Sequence, residues 1–331
     1  MQHRFLNFKY TSLVVAVLFF MVACKDEKYS LPVPKNALQN DAIKRSLGPN
    51  IVGMNIEFTY AMALPKDKGK LVSAEVVASI PGATGTYLEN NSYYTNSSGV
   101  DVGVPIGSPS VTVGDKTSVT FNKDTMAATL RYFYVIPEAA RGKTVTFTFS
   151  ATSSDGESVS ISMGPYTIAK MDWIKNRTVT DGNAFYISIS DTAIYTSANA
   201  AANAAKIDLV YLYRVVLNKT FLHALVAPAA DPQYLPGITL PAGVNKNTKI
   251  LKVFSLQDYQ LANLQYGIYI DDLDFQKLDL STAPNFAINL KAEAGVWVET
   301  ADGKYRAYIY INSVNNTTKS AVISMKRYAM Q

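Results

Sequence analysis

Apolar and polar residues alternate along most of this chain from about residue 51 onward, and a period of two marks half-buried strands. Val52, Met54, Ile56, Phe58 and Tyr60 alternate with Gly53, Asn55, Glu57 and Thr59. Leu71 to Ile80 repeats the pattern with Val72, Ala74, Val76, Ala78 and Ile80 on one face, after a turn at Pro65 to Gly69. Pro81-Gly82-Ala83-Thr84-Gly85 breaks the alternation, Tyr87 to Thr95 reads as a further strand, and Asn96 to Ser110 reads as loop from its Gly, Pro and Ser content. Short strands are predicted at Val111 to Val113, Ser118 to Asn122 and Ala128 to Ile136, then a pair at Lys143 to Ala151 and Glu157 to Ile168. About seven short strands with regular turn signals predict an immunoglobulin-like β-sandwich over residues 51–170.

The second half, residues 175–331, has a different texture. Asn183 to Ser190 reads as a strand, and Thr196 or Ser197 caps an alanine-rich helix running to about Lys206. Ile207 to Val216 is apolar on both faces and should be a central strand covered on both sides. Ala227 to Asn247 is a Pro/Gly loop, and Ser255 with Asp258 predicts a capping box opening a second helix through about Leu264. Strands at Ala292 to Thr300, Lys304 to Ile311 and Lys319 to Tyr328 close the chain. The expected fold is mainly β: an immunoglobulin-like sandwich, then a second sandwich-like domain carrying two short helices.

Two hairpins have a register that can be argued from side chains. Around Asp155-Gly156, a three-residue loop Ser154-Asp155-Gly156 pairs Phe149 with Ile161, Phe147 with Met163 and Ala151 with Val159, whereas a two-residue turn opposes aromatics to small residues. Around Asp302-Gly303 a two-residue loop gives the cleaner division. It pairs Val298 with Ala307 and Val296 with Ile309 on one face, and Glu299 with Arg306, Trp297 with Tyr308 and Gly295 with Tyr310 on the other.

Ahead of the strands, Met1 to Lys9 carries Arg4, Lys9 and no acid, and Leu13 to Val22 is an unbroken apolar run. That run is about ten residues, too short for a bilayer core of roughly 30 Å, so it reads as a cleavable signal over residues 1–23. The small pair Ala23-Cys24 resembles a bacterial lipobox, with Met21 where leucine is usual, and the resemblance implies cleavage before Cys24 and its acylation. Lys25-Asp26-Glu27 resembles the export tag of Bacteroidetes lipoproteins carried to the outer face of the outer membrane. Residues 24–50, with Leu31-Pro32-Val33-Pro34 and Gly48-Pro49-Asn50, read as an extended tether with only weak helical patterning.

Composition narrows the chemistry. The net charge is +5, falling to +3 once Arg4 and Lys9 leave with the signal, and without an arginine-rich run this excludes a nucleic-acid binder. Cys24 is the only cysteine, so there is no disulfide, no thiol nucleophile and no cysteine-based zinc site. His3 leaves with the signal, and the remaining histidine, His223 in Phe221-Leu222-His223-Ala224-Leu225, sits in a context that predicts a packed core side chain. No Gly-x-Ser-x-Gly elbow is present. A non-enzymatic protein without cofactor is expected.

Four candidate sites remain. Asp271, Asp272 and Asp274 form the densest carboxylate cluster, a weak candidate for calcium because the spacing and glycine of a calcium loop are missing. Asp124-Thr125-Met126 and Asp191-Thr192-Ala193 resemble the acceptor of Bacteroidetes protein O-glycosylation, which makes Thr125 and Thr192 candidates. Trp297, Tyr308 and Tyr310, flanked by Glu299 and Arg306, would form an aromatic strip suited to a sugar, unless a neighbouring loop or helix buries it. Arg45 is a candidate protease site.

The signal, the tag, the tether and the first domain together resemble Bacteroidetes surface lipoproteins of the accessory SusE/SusF-like type. That resemblance implies a surface lipoprotein capturing a glycan or other nutrient beside an outer-membrane import porin. The alternatives are a fimbrillin-like pilin or adhesin subunit, which needs a detachable first strand before a cleaved arginine such as Arg45, and a lipoprotein binding a lipid or small apolar ligand.

Overall fold

The computed structural model describes residues 35–216, 219–262 and 265–330. Cys24 and Lys25-Asp26-Glu27, like the whole signal, lie outside the described residues. The first half comprises β1 (Gln39–Lys44), β2 (Asn55–Ala63), β3 (Leu71–Ala78), β4 (Tyr87–Leu88), β5 (Asn91–Thr95), β6 (Asp101–Pro105), β7 (Val111–Val113), β8 (Lys116–Thr120), β9 (Ala127–Val135), β10 (Thr144–Ser153) and β11 (Ser158–Thr167). A four-stranded sheet β1-β2-β9-β4 faces a five-stranded sheet β11-β10-β3-β8-β7, the two layers of an immunoglobulin-like sandwich. The alternation read from the sequence fills the space between them. Phe58, Tyr60, Tyr132, Tyr134, Phe147 and Phe149 are all buried, and Phe58 meets Phe147 at 4.8 Å and Phe149 at 5.2 Å between ring centres.

Three expectations fail here, each for a physical reason. Residues 39–44 are not free tether but the edge strand β1, paired antiparallel with β2 from Gln39↔Ala63 to Lys44↔Phe58. Within this stretch only Ala42 is buried, with Leu38 just before it, too few apolar residues to reveal a strand by pattern. Asn96 to Ser110 is not all loop, because β6 pairs with β5 in a two-stranded ribbon outside the sandwich, where Val102 and Val104 alternate with Asp101 and Gly103 but stay out of the core, and the Gly and Pro content outweighed so short a run. In β3 the pairing shifts beside Ser73, so Leu71 is buried while Val72 is turned outward.

The β10–β11 hairpin has the expected register, with Phe147↔Met163, Phe149↔Ile161 and Ala151↔Val159. Gly156 takes φ +89° at the left-handed position of the loop Ser154-Asp155-Gly156.

The second half comprises β12 (Asp172–Thr180), β13 (Ala184–Ser188), β14 (Ala193–Thr196), β15 (Leu209–Val216), β16 (Lys219–Val226), β17 (Lys249–Val253), β18 (Phe286–Leu290), β19 (Gly295–Glu299), β20 (Tyr305–Asn315) and β21 (Ser320–Ala329). Sheets β12-β21-β20-β19-β17 and β14-β13-β15-β16-β18 pack over an aliphatic core. As expected, β15 is the central strand of its sheet. Helix α1 (Ser197–Ala200) continues as a 3₁₀ segment to Lys206. The second predicted helix is displaced. Ser255 takes φ +59° and residues 258–262 form a turn, while α2 (Asp272–Lys277) lies further on. The reason is Asp258, which is fully buried and bonded to Lys326 instead of capping a helix.

A third core joins the sandwiches. Ile51, Ala169 and Met171 from the junction pack with Leu261, Phe275, Trp297, Tyr308, Tyr310 and Tyr328 on the outer face of the β12–β17 sheet. The junction is held from both sides. Arg141 donates to the carbonyls of Lys170 and Met171 at 2.8 and 3.0 Å, and the Asp272 carboxylate accepts from the amides of the same two residues at 2.7 and 3.2 Å.

Candidate ligand-binding groove

The β19–β20 hairpin has the expected pairing, Val296↔Ile309, Trp297↔Tyr308 and Glu299↔Arg306. Its loop is wider than two residues: the Thr300 amide bonds to the Tyr305 carbonyl, the Thr300 hydroxyl accepts from the Tyr305 amide, and Gly303 sits at φ +68°. The aromatic face, however, is not a surface. Trp297 is 6% exposed, Tyr310 2% and Tyr308 0%. Phe275 of α2 packs edge-on to Trp297 at 5.4 Å and parallel to Tyr328 at 5.9 Å. The Tyr308 hydroxyl donates to the Leu256 carbonyl, and burial pushes its phenol far above the ordinary value. Glu299 and Arg306 pair at 2.8 Å, and Arg306 donates to the Phe275 carbonyl at 2.6 Å, so this charged pair fastens α2 to the sheet. The sugar platform predicted at Trp297, Tyr308, Tyr310, Arg306 and Glu299 is therefore a core, because the segment between β17 and β18 folds over it.

The other candidates are also used structurally. Asp271 caps α2 by accepting from the amides of Leu273 and Asp274, and Asp274 returns a bond to the Asp271 amide at 2.8 Å, a reciprocal capping box. Asp272 clasps the junction, so the three carboxylates serve backbone amides separately. Among the described residues no group of three or more His, Cys, Asp or Glu could hold a metal. Thr125 and Thr192 are half-buried, and their hydroxyls donate to the carbonyls of Ala127 and Asp191. His223 is a packed core side chain, with Nδ1 2.6 Å from the Tyr211 hydroxyl and Nε2 2.8 Å from the Asn316 amide oxygen. Burial lowers its pKa.

A different pair of aromatics reaches solvent. Where the two sandwiches meet, a groove of about 390 Å³ is lined by Met54, Asn55 and Glu57 at the start of β2, Trp173 and Lys175 of β12, and Tyr259 and Gln260 of the loop after β17. Trp173 is half-buried, its indole N–H donating to the Val52 carbonyl at 3.1 Å across the junction. Tyr259 is 43% exposed. Gln260 donates to the Pro49 carbonyl at 2.9 Å, which leaves its buried side-chain oxygen with no partner.

The loop carrying Tyr259 and Gln260 is positioned by the buried Asp258. One carboxylate oxygen accepts from the amides of Gln260 and Leu261 at 2.9 and 3.0 Å. The other accepts from the Ile270 amide at 2.8 Å and from the Lys326 ammonium at 2.6 Å. Lys326 also donates to the Ile270 carbonyl at 2.8 Å. Two aromatic rings, two amides, one carboxylate and one ammonium thus line a concave junction, the composition that binds small polar ligands with apolar faces. These residues were missed from sequence because they come from three distant segments. Trp173 alone left a signal, as a large aromatic at the expected junction.

Two family models meet at that junction. A domain of unknown function, DUF4466, matches residues 35–168, and another, DUF8576, matches residues 169–330. A crystal structure of a DUF4466 family protein from Parabacteroides merdae is 51% identical, with a TM-score of 0.85 over 90% of this chain and 100% of that one. The major pilin subunit of Bacillus cereus shares 13% identity at a TM-score of 0.28, over 47% of this chain and 50% of that one. A C-terminal fragment of the major pilin of Streptococcus agalactiae shares 14% at 0.29, over 55% of this chain and 74% of that one. Likenesses this slight bear on neither fold nor function. No functionally curated protein matches the chain.

Proposed function

This chain belongs to the DUF4466 family, and we propose that it is a non-enzymatic surface lipoprotein that captures a glycan in the groove between Trp173 and Tyr259. The supporting observation is the composition of that groove: Trp173 and the exposed Tyr259 beside Asn55, Glu57, Lys175 and Gln260. A sugar presents C–H faces to aromatics and hydroxyls to amides and charges. The lipobox at Cys24 and the tag Lys25-Asp26-Glu27 support an outer-membrane anchor facing outward, in the manner of accessory lipoproteins beside an import porin. A glycan array with the mature chain, followed by calorimetry on Trp173→Ala, tests this. Binding that the substitution abolishes supports the reading, and no binding across the array, or unchanged affinity in the variant, removes it.

One observation favours a second reading, a fimbrillin-like subunit. The edge strand β1 pairs with β2 alone and ends at Lys44, immediately before the exposed Arg45. Cleavage at Arg45 by an arginine-specific protease would then release β1 and open its slot to a strand from a second copy. Fibres in the electron microscope after such cleavage support it, and a cleaved chain that stays monomeric removes it.

A further inference from the structure

Two grooves share one strand. The junction groove includes Asn55 and Glu57 of β2. A second groove, of about 510 Å³, is lined by Ala61 and Ala63 of the same strand, with Asp41 of β1, Thr129 of β9 and Tyr93 and Tyr94 of the β5–β6 ribbon. Residues 55, 57, 61 and 63 have one parity and so lie on one face of the sheet, the face away from the sandwich core. Their partners across the ladder are Val135, Phe133, Thr129 and Ala127. None of these eight residues is buried, nor are Thr59 and Arg131 between them. The two grooves are therefore the ends of one open strip. From Asn55 to Ala63 it spans nine residues, and eight steps at the rise of an antiparallel strand make about 27 Å.

The strip is furnished along its length. At the far end the floor is small, Ala61, Ala63 and Ala127, and the ribbon raises Tyr93 and Tyr94 as a wall. The Arg131 guanidinium lies 3.8 Å from the centre of the Tyr93 ring and is itself paired with Asp101, so the ring is held in place and the charge is answered. Opposite Glu57, towards the near end, Tyr87 stacks on Phe133 at 4.9 Å, and Tyr87 is 41% exposed. At the near end stand Trp173 and Tyr259.

We infer that this strip is one extended track for a linear, uncharged glycan chain, with the junction groove as its first subsite. The inference rests on the glycan reading above and names the form of the ligand. An extended peptide is the rival occupant, but it gains affinity by adding a strand to a sheet edge. Here the ligand would lie on a sheet face, where the N–H and C=O groups of β2 and β9 already bond each other. A glycan brings its own hydroxyls and needs only spaced ring faces and side-chain polar groups. Aromatic rings recur along the strip, Trp173 and Tyr259 at the near end, Tyr87 opposite Glu57, Tyr93 over the midpoint Arg131 and Tyr94 beyond it, a spacing for a chain, since a single sugar would use only one.

Calorimetry of the mature chain with size-defined neutral gluco-, xylo- and mannooligosaccharides, from disaccharide to octasaccharide, tests the track. Affinity for the recognised type should rise by roughly tenfold or more with length and then level off. Ala61→Trp, which fills the far floor from an outward position, should reduce octasaccharide affinity to that of a short chain and leave disaccharide affinity unchanged. Tyr94→Ala, at a 55% exposed site, should act in the same sense more weakly. Affinity independent of length, or an octasaccharide indifferent to both substitutions, overturns the track while leaving the junction groove standing. Failure of every length to bind, or tight binding of extended peptides in their place, overturns both.

Discussion

The Lys326 ammonium stands 2.6 Å from an oxygen of Asp258, and neither side chain reaches solvent. The pair is roofed by the third core and lies beneath the loop that presents Tyr259 and Gln260. Burial lowers the Lys326 pKa even with a carboxylate beside it. Such a pair gains little over an apolar filling, but breaking it strands a charge. Lys326→Met should therefore lower stability by about 3–5 kcal/mol in chemical denaturation. A loss below about 1 kcal/mol, in the range of a surface pair, would show that water reaches Asp258 and that the loop is not anchored there.

The two tryptophans should separate stability from binding. Trp297→Ala removes a buried ring between Phe275 and Tyr308 and should cost about 3–5 kcal/mol, with affinity retained in the folded fraction. Trp173→Ala should lose ligand at a smaller cost in stability. If denaturation and calorimetry give the reverse assignment, the groove has been put in the wrong place.

Gly295 lies under the phenol of Tyr308, and a β-carbon there would collide with that ring. The ring cannot retreat, because its hydroxyl is bonded to the Leu256 carbonyl. Gly295→Ala should thus destabilise by about 1–3 kcal/mol, the usual cost of overpacking a filled core. An unchanged melting temperature would mean that the segment over the sheet is free to move away.

His223 makes stability depend on pH. Its folded pKa is lowered from 6.5 by burial, so between the lowered value and 6.5 the unfolded chain holds more protons than the folded one. Stability should then rise with pH through that window and be level for this residue above 6.5. His223→Gln should flatten the slope relative to the parent protein. Equal slopes in denaturation series from pH 5 to 7 would count against a neutral, buried imidazole.

What the sequence determined by itself follows from local physics. Period-two patterning placed most strands of both sandwiches, though not the edge strand β1, and matching large apolar partners across the ladder chose the registers at Phe149↔Ile161 and Trp297↔Tyr308, because a one-residue slip would turn every side chain over. A single histidine in an apolar run identified a core imidazole. Tertiary structure decided the rest. Alternation shows that Trp297 and Val298 point opposite ways but not which side is covered, and here both are, since the β17–β18 segment adds a third layer over the aromatic face. Ser255 and Asp258 have the spacing of a helix cap, yet Lys326, 68 residues away, claims the carboxylate because a buried ammonium needs an opposite charge beside it. Trp173, Tyr259 and Asn55 become neighbours only when Arg141 and Asp272 lock the junction, and no periodicity within a single strand can encode that meeting.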